Sequence, residues 1–416
     1  MVAGWPEVVA AAVSLRRDLH RRPELAWSEH GTAAAIREQL DRSGISWRAC
    51  AETGTVATLA PDVPGRHVAL RADIDAMPVR EATGLAWSSE FDGVMHACGH
   101  DGHMAALFAA TWWLQAKEAE LPGPVTLLFQ PAEEGGHGAK RMIEDGALDD
   151  VVRAPGLSGA ATPRPVEAVF GWHNWPAIPH GRAVCPDGPV MSANGTFEVK
   201  VVGQGGHASQ PEATRDPVLA AAAITVALQQ IVARRLPPNQ AAVLAVTSIM
   251  APSGQTVTPD HALLSGSIRV GDTVQRDHVF DLITEVAADT ARSYGVEAET
   301  ETVTRYGATV NHPAAAAEMR DALEATLGPN WHSAGTRVPV MASEDFSYYL
   351  ERVPGAFALI GADDGHGHHH PCHSARYDFN DGLIPQAARV FARLAGVPVP
   401  DDAGGIVDPV TIEDAS

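Results

Sequence analysis

Residues 95–117 read MHACGHDGHMAALFAATWWLQAK, a cluster of polar side chains that runs directly into an apolar helical pattern. The first nine residues hold one thiol and three imidazoles, with Cys98 and His100 a single residue apart and Asp101 beside them. Soft and borderline ligands at this density suit a transition metal such as zinc or manganese. The stretch therefore predicts a metal-binding group close before a helix.

The segments on either side of this stretch predict an α/β fold. Strand patterns TGTVATLA, HVALRAD, PVTLLFQ and EAVFGWH alternate with helical patterns, which is typical of a sheet covered by helices. Polar side chains stand at or just past these strands: Asp73, Asp75, Glu133, Glu134 and His173. Because open α/β sheets bind ligands at the carboxyl ends of their strands, we expect these side chains to gather there.

The organisation changes near Pro189. From Thr196 to Val303 the strand and helix patterns follow the order β-α-β-β-α-β, which is the ferredoxin-like unit. Helix and strand alternation resumes at about His312, so the first domain is interrupted by an inserted one. We assign residues 1–188 and 306–416 to an α/β domain with a central mixed sheet, and residues 189–305 to the insertion. The acidic tail from Pro398 is expected to be loosely held.

Composition narrows the class of protein. A chain of 416 residues is long for a single core and favours two domains. A net charge of −21 argues against nucleic acid and anionic membranes as partners. We expect no membrane-spanning segment, and the N-terminus lacks the layout of a signal peptide. Four cysteines give no disulfide framework, so we predict a soluble cytoplasmic protein.

Six motifs occur in an order that resembles a known family: RADIDAMP, MHACGHDGH, FQPAEE, GQGGHASQP, MASEDFSYY and HSARYDFND. The chain resembles the di-metal aminoacylase and glutamate carboxypeptidase family, and more narrowly the amidohydrolase branch that includes hippurate hydrolase and the auxin-conjugate hydrolases. The resemblance covers about Leu19 to Leu394, and MHACGHD together with PAEE is its most specific part. It implies that the α/β domain is catalytic and that the inserted domain is a lid that mediates dimerisation.

The resemblance also implies a ligand set for two divalent ions, Zn²⁺ or Mn²⁺, with Co²⁺ or Ni²⁺ as alternatives. The residues carried over as ligands are Cys98, His100, Glu134, His173 and His373. The family's last ligand precedes a segment like YDFND, which selects His373 in the histidine-rich loop, with His370 as the alternative. His103 and Asp101 are interpreted as supporting groups rather than ligands.

Adjacent acids in FQPAEE supply the predicted proton chemistry. Amide hydrolysis needs a base to deprotonate water and then an acid to protonate the leaving amine. One carboxylate can do both while its neighbour binds the metal, and the residues alone leave open which does which. The resemblance assigns Glu133 as the base and Glu134 as the ligand. It matches Asp75 to the acid that orients a ligand, and puts Asp73 where other branches keep a metal-binding histidine.

Three residues of the inserted domain are the candidate substrate contacts. By resemblance, His207 in GQGGHASQP reaches the active site of the other subunit and stabilises the oxyanion. Arg269 ends a strand and can bind a substrate carboxylate in a bidentate pair. Thr256 stands in the turn TVTP where relatives carry an asparagine. A hydroxyl donates one hydrogen bond where an amide donates two, so the choice of substrate is expected to differ.

The predicted function is hydrolysis of the amide of an N-acyl amino acid to a carboxylic acid and a free amino acid. The expected enzyme is a homodimer or higher homo-oligomer with a small-molecule substrate and neither nucleic acid nor membrane as partner. A dipeptidase or carboxypeptidase of the same family is the first alternative. The His100–Asp101 pair also raises a His-Asp phosphohydrolase, which is all-helical and uses no cysteine ligand. The third alternative is a metal-binding protein without catalytic activity, and the intact PAEE motif argues against it.

Overall fold

The computed structural model describes residues 4–153 and 163–403, so most of the acidic tail lies outside the described residues. By their contacts the residues form two compact units. The first comprises Met1–Gly188, Val310–Arg337 and Tyr348–Ser416, and the second comprises Pro189–Thr309 and Val338–Ser347. Residues 306–309 and 338–347, which the sequence assigns to the α/β domain, have their contacts with the second unit.

The α-helices in the described residues are α1 Trp5–His20, α2 His30–Arg42, α3 His100–Ala116, α4 Gly138–Glu144, α5 Pro217–Gln230, α6 Thr273–Ser293, α7 Pro313–Leu327, α8 Ser347–Leu350 and α9 Leu383–Leu394. Short helical segments of other types are Glu118–Glu120, Pro211–Ala213 and Ile231–Arg235.

The strands are β1 Trp47–Cys50, β2 Gly54–Leu59, β3 Val68–Asp73, β4 Val125–Gln130, β5 Ala168–Pro179, β6 Ala183–Val184, β7 Gly188–Met191, β8 Ala193–Val202, β9 Gly206–His207, β10 Ala242–Met250, β11 Val257–Thr258, β12 His261–Val270, β13 Glu297–Thr304, β14 Thr309–Asn311 and β15 Gly355–Asp363.

The first unit is built on a seven-stranded mixed sheet with the order β1-β2-β4-β3-β5-β15-β6. Strand β3 lies parallel between β4 and β5, and β15 is parallel to β5, whereas β1, β2 and β6 pair antiparallel. Every residue of β2, β3 and β4 is buried, as expected for strands covered on both faces. The predicted α/β fold with a central mixed sheet is confirmed.

The register of the parallel strands brings the predicted polar residues to one edge of this sheet. Asp73 pairs with Gln130, so the chain of β4 ends level with β3. Leu70 pairs with Phe170, and therefore Asp73 and His173 lie three residues further along their own strands. The paired acids of FQPAEE follow β4 directly. A single edge thus collects side chains from three strands that are distant in sequence.

The second unit has a four-stranded antiparallel sheet with the order β10-β12-β8-β13. Its elements follow one another as β8, α5, β10, β12, α6 and β13, which is a ferredoxin-like succession. Helices α5 and α6 contribute buried residues such as Ile224, Leu228 and Ile283 to the core of this unit. Whether the unit acts as a lid and dimerisation domain stays a prediction.

The sequence predicted no segment long and apolar enough to cross a membrane, but one helix in the described residues meets that criterion. The helical stretch Pro217–Arg235 meets that criterion by length and composition, with a mean hydropathy of 1.5. Core helices pass the same test. Here Ala220, Ile224 and Leu228 are fully buried within the second unit, so packing on the sheet accounts for the apolar residues on that face.

A buried charge cluster joins α1 to the first turn of α3. The carboxylate of Asp101 accepts hydrogen bonds from Arg16 Nη1 at 3.3 Å and from His20 Nδ1 at 2.8 Å. The other ring nitrogen of His20 lies 3.4 Å from Glu81. Burial alone would lower the pKa of His20, but the charge and hydrogen bond of Asp101 outweigh it and raise the pKa to about 9. The imidazolium is therefore part of the folded structure at neutral pH.

The stabilisation from His20 should depend on pH with a definite sign. Because the pKa of His20 is raised from 6.5 to about 9 on folding, its contribution is complete below pH 6.5 and is lost as the pH rises through about 9. We expect His20→Gln to lower the free energy of unfolding by about 2 kcal/mol near neutral or lower pH, and by much less at about pH 10.

Urea unfolding of both proteins across this range measures the difference. The exposed imidazole of His30, replaced by glutamine, is the matched control and should show no such trend. If His20→Gln lowered the free energy of unfolding by the same amount at all pH values, a charged His20 would be contradicted.

Candidate metal centre

Groups of candidate ligands that contain the predicted residues meet at the sheet edge of the first unit. Within each group the ligand atoms all lie within 4.8 Å of one another. The groups are Cys98 with His100 and His173, Cys98 with Glu134 and His373, and His100 with Glu133 and Glu134. Together they contain the five predicted ligands and the predicted base. The structure therefore brings together residues from four separate parts of the sequence.

The thiol of Cys98 is common to two of these groups. Its Sγ lies 3.3 Å from His173 Nε2 and 3.4 Å from His373 Nε2. The same nitrogen of His373 is 3.3 Å from Glu134 Oε1. These distances join thiol, imidazole and carboxylate atoms, each of a kind that binds transition metals.

Two of the imidazoles are oriented so that Nε2 faces the centre. His100 Nδ1 donates to the backbone carbonyl of Asp75 at 2.8 Å, and His173 Nδ1 donates to that of Asn174 at 2.7 Å. A proton fixed on Nδ1 leaves the lone pair on Nε2, the form in which histidine binds metals. His100 Nε2 is buried and has no hydrogen-bond partner among the described residues. Such an orphaned atom fits a site made for a cation.

Asp75 positions two candidate residues at once. Its carbonyl holds His100, and its Oδ2 accepts a hydrogen bond from the backbone N–H of Glu134 at 2.9 Å. These contacts support the orienting role predicted for Asp75.

Asp73 and His103 form a second layer behind the centre. His103 Nδ1 is 2.6 Å from Asp73 Oδ1, and its Nε2 is 2.7 Å from the amide oxygen of Asn174. Arg71 donates to the other oxygen of Asp73 at 2.7 Å. Because both nitrogens of His103 are occupied, the structure supports its interpretation as a supporting group.

The electrostatics of the centre favour an additional positive charge. Burial lowers the pKa of His100, but the negative charge of Asp73 and the contacts with Asp75 raise it to about 10. Burial opposes the ionisation of Glu134, yet the hydrogen bond from His373 and the charge of His100 lower its pKa. The proton on His100 thus balances buried carboxylates, and a divalent cation can take its place. Thiolate, imidazole and carboxylate ligands together suit Zn²⁺ or Mn²⁺.

The histidine-rich loop contributes one imidazole to the candidate groups. The backbone N–H of His373 donates to the carbonyl of Ala97 at 2.7 Å, which fixes this residue beside Cys98. His373 has a left-handed backbone with φ of 69°, a conformation that non-glycine residues rarely adopt and that often marks functional sites. The ring of His370 packs at a tilt of 36° against that of His369, with centroids 4.6 Å apart. The geometry thus favours His373 over His370.

The predicted substrate residues all lie in the second unit, where His207 and Thr256 are neighbours. His207 is on β9, and the next residue, Ala208, donates its backbone N–H to Thr256 O at 2.9 Å. Both side chains are exposed. The backbone N–H of Ser209 donates to His207 Nδ1 at 3.1 Å, so the proton of a neutral ring is on Nε2. His207 therefore presents a hydrogen-bond donor.

Arg269 is half-buried on β12. Its Nη1 donates to Ser343 Oγ at 3.1 Å, and burial lowers its pKa. A guanidinium has five N–H donors, so this single contact leaves others for a carboxylate.

Glu29 is a contributor that the sequence motifs do not reveal. Its buried Oε1 accepts the backbone N–H of Ala132 at 2.9 Å, and Oε2 accepts Thr53 Oγ1 at 2.7 Å. Ala132 has a φ of 53° and directly precedes Glu133, so Glu29 fixes the bend that presents the predicted base. Burial raises the pKa of Glu29. The contact spans 103 residues, and no local pattern could have indicated it.

Two substitutions in the histidine-rich loop test whether His373 or His370 binds metal. We expect His373→Ala to lower the amount of divalent metal retained after dialysis, because it removes an atom from the group with Cys98 and Glu134. His370→Ala is the matched control and should retain metal like the unmodified protein. Inductively coupled plasma mass spectrometry of the dialysed proteins gives the metal content. Loss of metal from His370→Ala alone would reverse the assignment.

Comparisons with known proteins agree with this centre. The sequence pattern of Peptidase family M20/M25/M40 matches residues 69–396. An N-acetyl-L-cysteine deacetylase of Bacillus subtilis strain 168 is 39% identical over 364 residues, covering 86% of this chain and 82% of the relative. A hippurate hydrolase of Campylobacter jejuni is 32% identical over 382 residues, covering 92% and 94%.

A solved structure matches over a similar extent. The crystal structure of a Bacillus subtilis protein described as a dinuclear metal-binding peptidase of the M20 family superimposes with a TM-score of 0.78. The two are 30% identical, and the match covers 94% of this chain and 98% of the other.

Proposed function

The chain belongs to peptidase family M20/M25/M40 and is a metal-dependent amidohydrolase, and we propose that it cleaves N-acyl amino acids to a carboxylic acid and a free amino acid. The resemblance seen in the motifs is confirmed. The observation that carries the proposal is the cluster of thiol, imidazole and carboxylate atoms with Glu133 at its side. Hippurate hydrolase and N-acetyl-L-cysteine deacetylase are both named for N-acyl amino acids, which supports this substrate class.

The cofactor of the proposed reaction is a pair of divalent ions, Zn²⁺ or Mn²⁺, with Co²⁺ or Ni²⁺ as substitutes. The residues that would hold them are Cys98, His100, Glu134, His173 and His373. Cys98 belongs to two of the candidate groups, so it would lie beside the ligands of either ion. Bound ions of this kind polarise an amide carbonyl and lower the pKa of water.

Glu133 carries the proton in the proposed reaction. Its carboxylate is almost fully buried and lies in one group with His100 and Glu134. In this position it can accept a proton from the attacking water and return it to the leaving nitrogen. Asp75 and Glu29 hold the backbone on either side of Glu133, so the carboxylate is presented in one place.

His207 is proposed to stabilise the oxyanion in the site of a partner subunit. Its Nε2–H is a donor on an exposed loop of the second unit. An apolar surface on this unit supports a homodimer: Leu219 and Val226 of α5 and Ile249 and Met250 of β10 are about half or more exposed. Because β10 is an edge strand of the four-stranded sheet, its outer side is of the kind that can pair with another chain.

Arg269 is proposed to bind the carboxylate of the amino-acid part, and Thr256 to contact the substrate through its hydroxyl. The half-buried position of Arg269 strengthens such an ion pair, because fewer water molecules compete for the guanidinium. We place the enzyme in the cytoplasm on the basis of its four free cysteines.

The seven-stranded sheet argues against the His-Asp phosphohydrolase alternative, which requires an all-helical fold. A dipeptidase would use the same residues and differs only in requiring a free amino group on the substrate.

Replacing the proposed base should separate catalysis from metal binding. Glu133→Gln keeps the size of the side chain but cannot accept the proton, so we expect hydrolysis of N-acetyl and N-benzoyl amino acids to fall by a factor of about 10² or more. Metal content should remain that of the unmodified protein.

A chelator should abolish the activity of the unmodified protein, and added metal should restore it. An active Glu133→Gln protein, or chelator-resistant turnover, would overturn the mechanism. Dipeptides in the same panel test the peptidase alternative.

A mixed-subunit experiment tests the proposed sharing of the site. Glu133→Gln and His207→Ala should each be inactive alone, because each removes one part of every site. When the two are co-expressed with different tags, each purified heterodimer should have one intact site and about half the wild-type activity. Inactive heterodimers would show that His207 does not act in the partner subunit.

A further inference from the structure

Two cysteines of the first unit lie side by side at the metal centre. The thiol of Cys98 is common to two candidate ligand groups, and Cys372 directly precedes the candidate ligand His373. We propose that Cys98 and Cys372 form a redox pair that peroxide converts to a disulfide, with loss of metal from the centre. The loss of metal rests on the proposed metal centre, whereas formation of the disulfide does not.

The backbone brings the two cysteines together. The N–H of His373 donates to the carbonyl of Ala97 at 2.7 Å, so the segments that carry the cysteines are hydrogen-bonded one residue from each thiol. The amide of Asn174 donates to Cys372 Sγ at 3.6 Å, and the preceding His173 lies 3.3 Å from Cys98 Sγ. Both thiols therefore contact the same short part of β5.

The two thiols differ in their exposure to solvent. Cys98 is 7% exposed, whereas Cys372 is partly exposed. An oxidant from solvent therefore meets Cys372 more readily, and Cys98 is placed to attack the oxidised sulfur.

The other two cysteines provide a contrast. Cys50 and Cys185 are buried, and burial raises their pKa values to about 11 and about 12. Their thiols face backbone carbonyls at 3.6 Å and 4.0 Å, those of Met142 and Ala316. Neither has a second thiol as partner in the contacts of the described residues, so the pairing is particular to Cys98 and Cys372.

The chemistry balances with one molecule of peroxide. The thiolate of Cys372 attacks the O–O bond, forming a sulfenic acid and releasing one water after protonation. The Cys98 sulfur then attacks the sulfenic sulfur, an S–S bond forms, and the hydroxyl leaves as a second water with a proton from solvent, or from the Cys98 thiol in metal-free protein. Two thiols are oxidised and one peroxide is reduced. A disulfide sulfur is not a thiolate, so Cys98 can no longer serve as a ligand.

The test treats the full-length zinc-loaded protein with hydrogen peroxide. Blocking of free thiols, proteolysis and mass spectrometry then identify cross-linked peptides, and a chromogenic chelator measures released zinc. We expect a peptide that joins Cys98 to Cys372, zinc release in step with its formation, and reversal of both by dithiothreitol and added zinc. Cys372→Ser should form no such cross-link, and Cys185→Ser, the matched control, should behave like the unmodified protein.

Each outcome decides the proposal. An intramolecular peptide joining Cys98 to Cys372 supports it. Cys98 recovered as sulfinic or sulfonic acid without a cross-link, a disulfide between chains, or two unmodified thiols would overturn it. The same treatment of metal-free protein separates the two hypotheses: if reduced protein binds no zinc yet the cross-link forms, the metal centre fails and the redox pair stands.

Discussion

The left-handed turn at Gly99 is the constraint on which the metal centre depends. Gly99 has a φ of 89°, and a Cβ there would lie 2.4 Å from both the amide oxygen of Asn174 and the hydroxyl of Tyr377. Only glycine can adopt this left-handed φ readily and also leave the space beside Asn174 and Tyr377 free of a Cβ atom. The turn ends the extended segment at Cys98 and begins α3 at His100, so two candidate ligands from one short motif approach the same centre. Any side chain at this position would separate them.

The first turn of α3 lies between two buried charge clusters. On one side Asp101 contacts Arg16 and His20 of α1, and on the other His100 and His103 face the carboxylates at the end of β3. The helix is otherwise apolar and almost fully buried, so it cannot shift to relieve an unpaired charge. The acidic cluster fixes the helix, and the fixed helix in turn presents His100 Nε2, which has no hydrogen-bond partner among the described residues and lies 3.6 Å from Asp73 Oδ2.

The sequence predicted the sheet edge well because strand ends leave a local pattern, and parallel pairing places them level. Asp75, Glu134 and His173 meet there for that reason. The choice of His373 over His370 depended on resemblance, because a left-handed residue among five histidines has no local signature. Glu29 could not be predicted, since it acts through a hydrogen bond to a distant backbone. Residues 338–347 contain no strand, so no local pattern indicates that their contacts are with the second unit.

A thiolate at the centre binds a soft metal tightly and is also open to oxidation. Alone, an oxidised Cys98 could proceed to sulfinic and sulfonic acids, from which the ligand is not recovered by a simple thiol. A neighbouring thiol changes that result, because a disulfide can form before the sulfur is oxidised further. Cys372, which directly precedes His373, then determines whether oxidation of the centre is reversible. Residues that bind neither metal nor substrate can thus set the conditions under which the enzyme works.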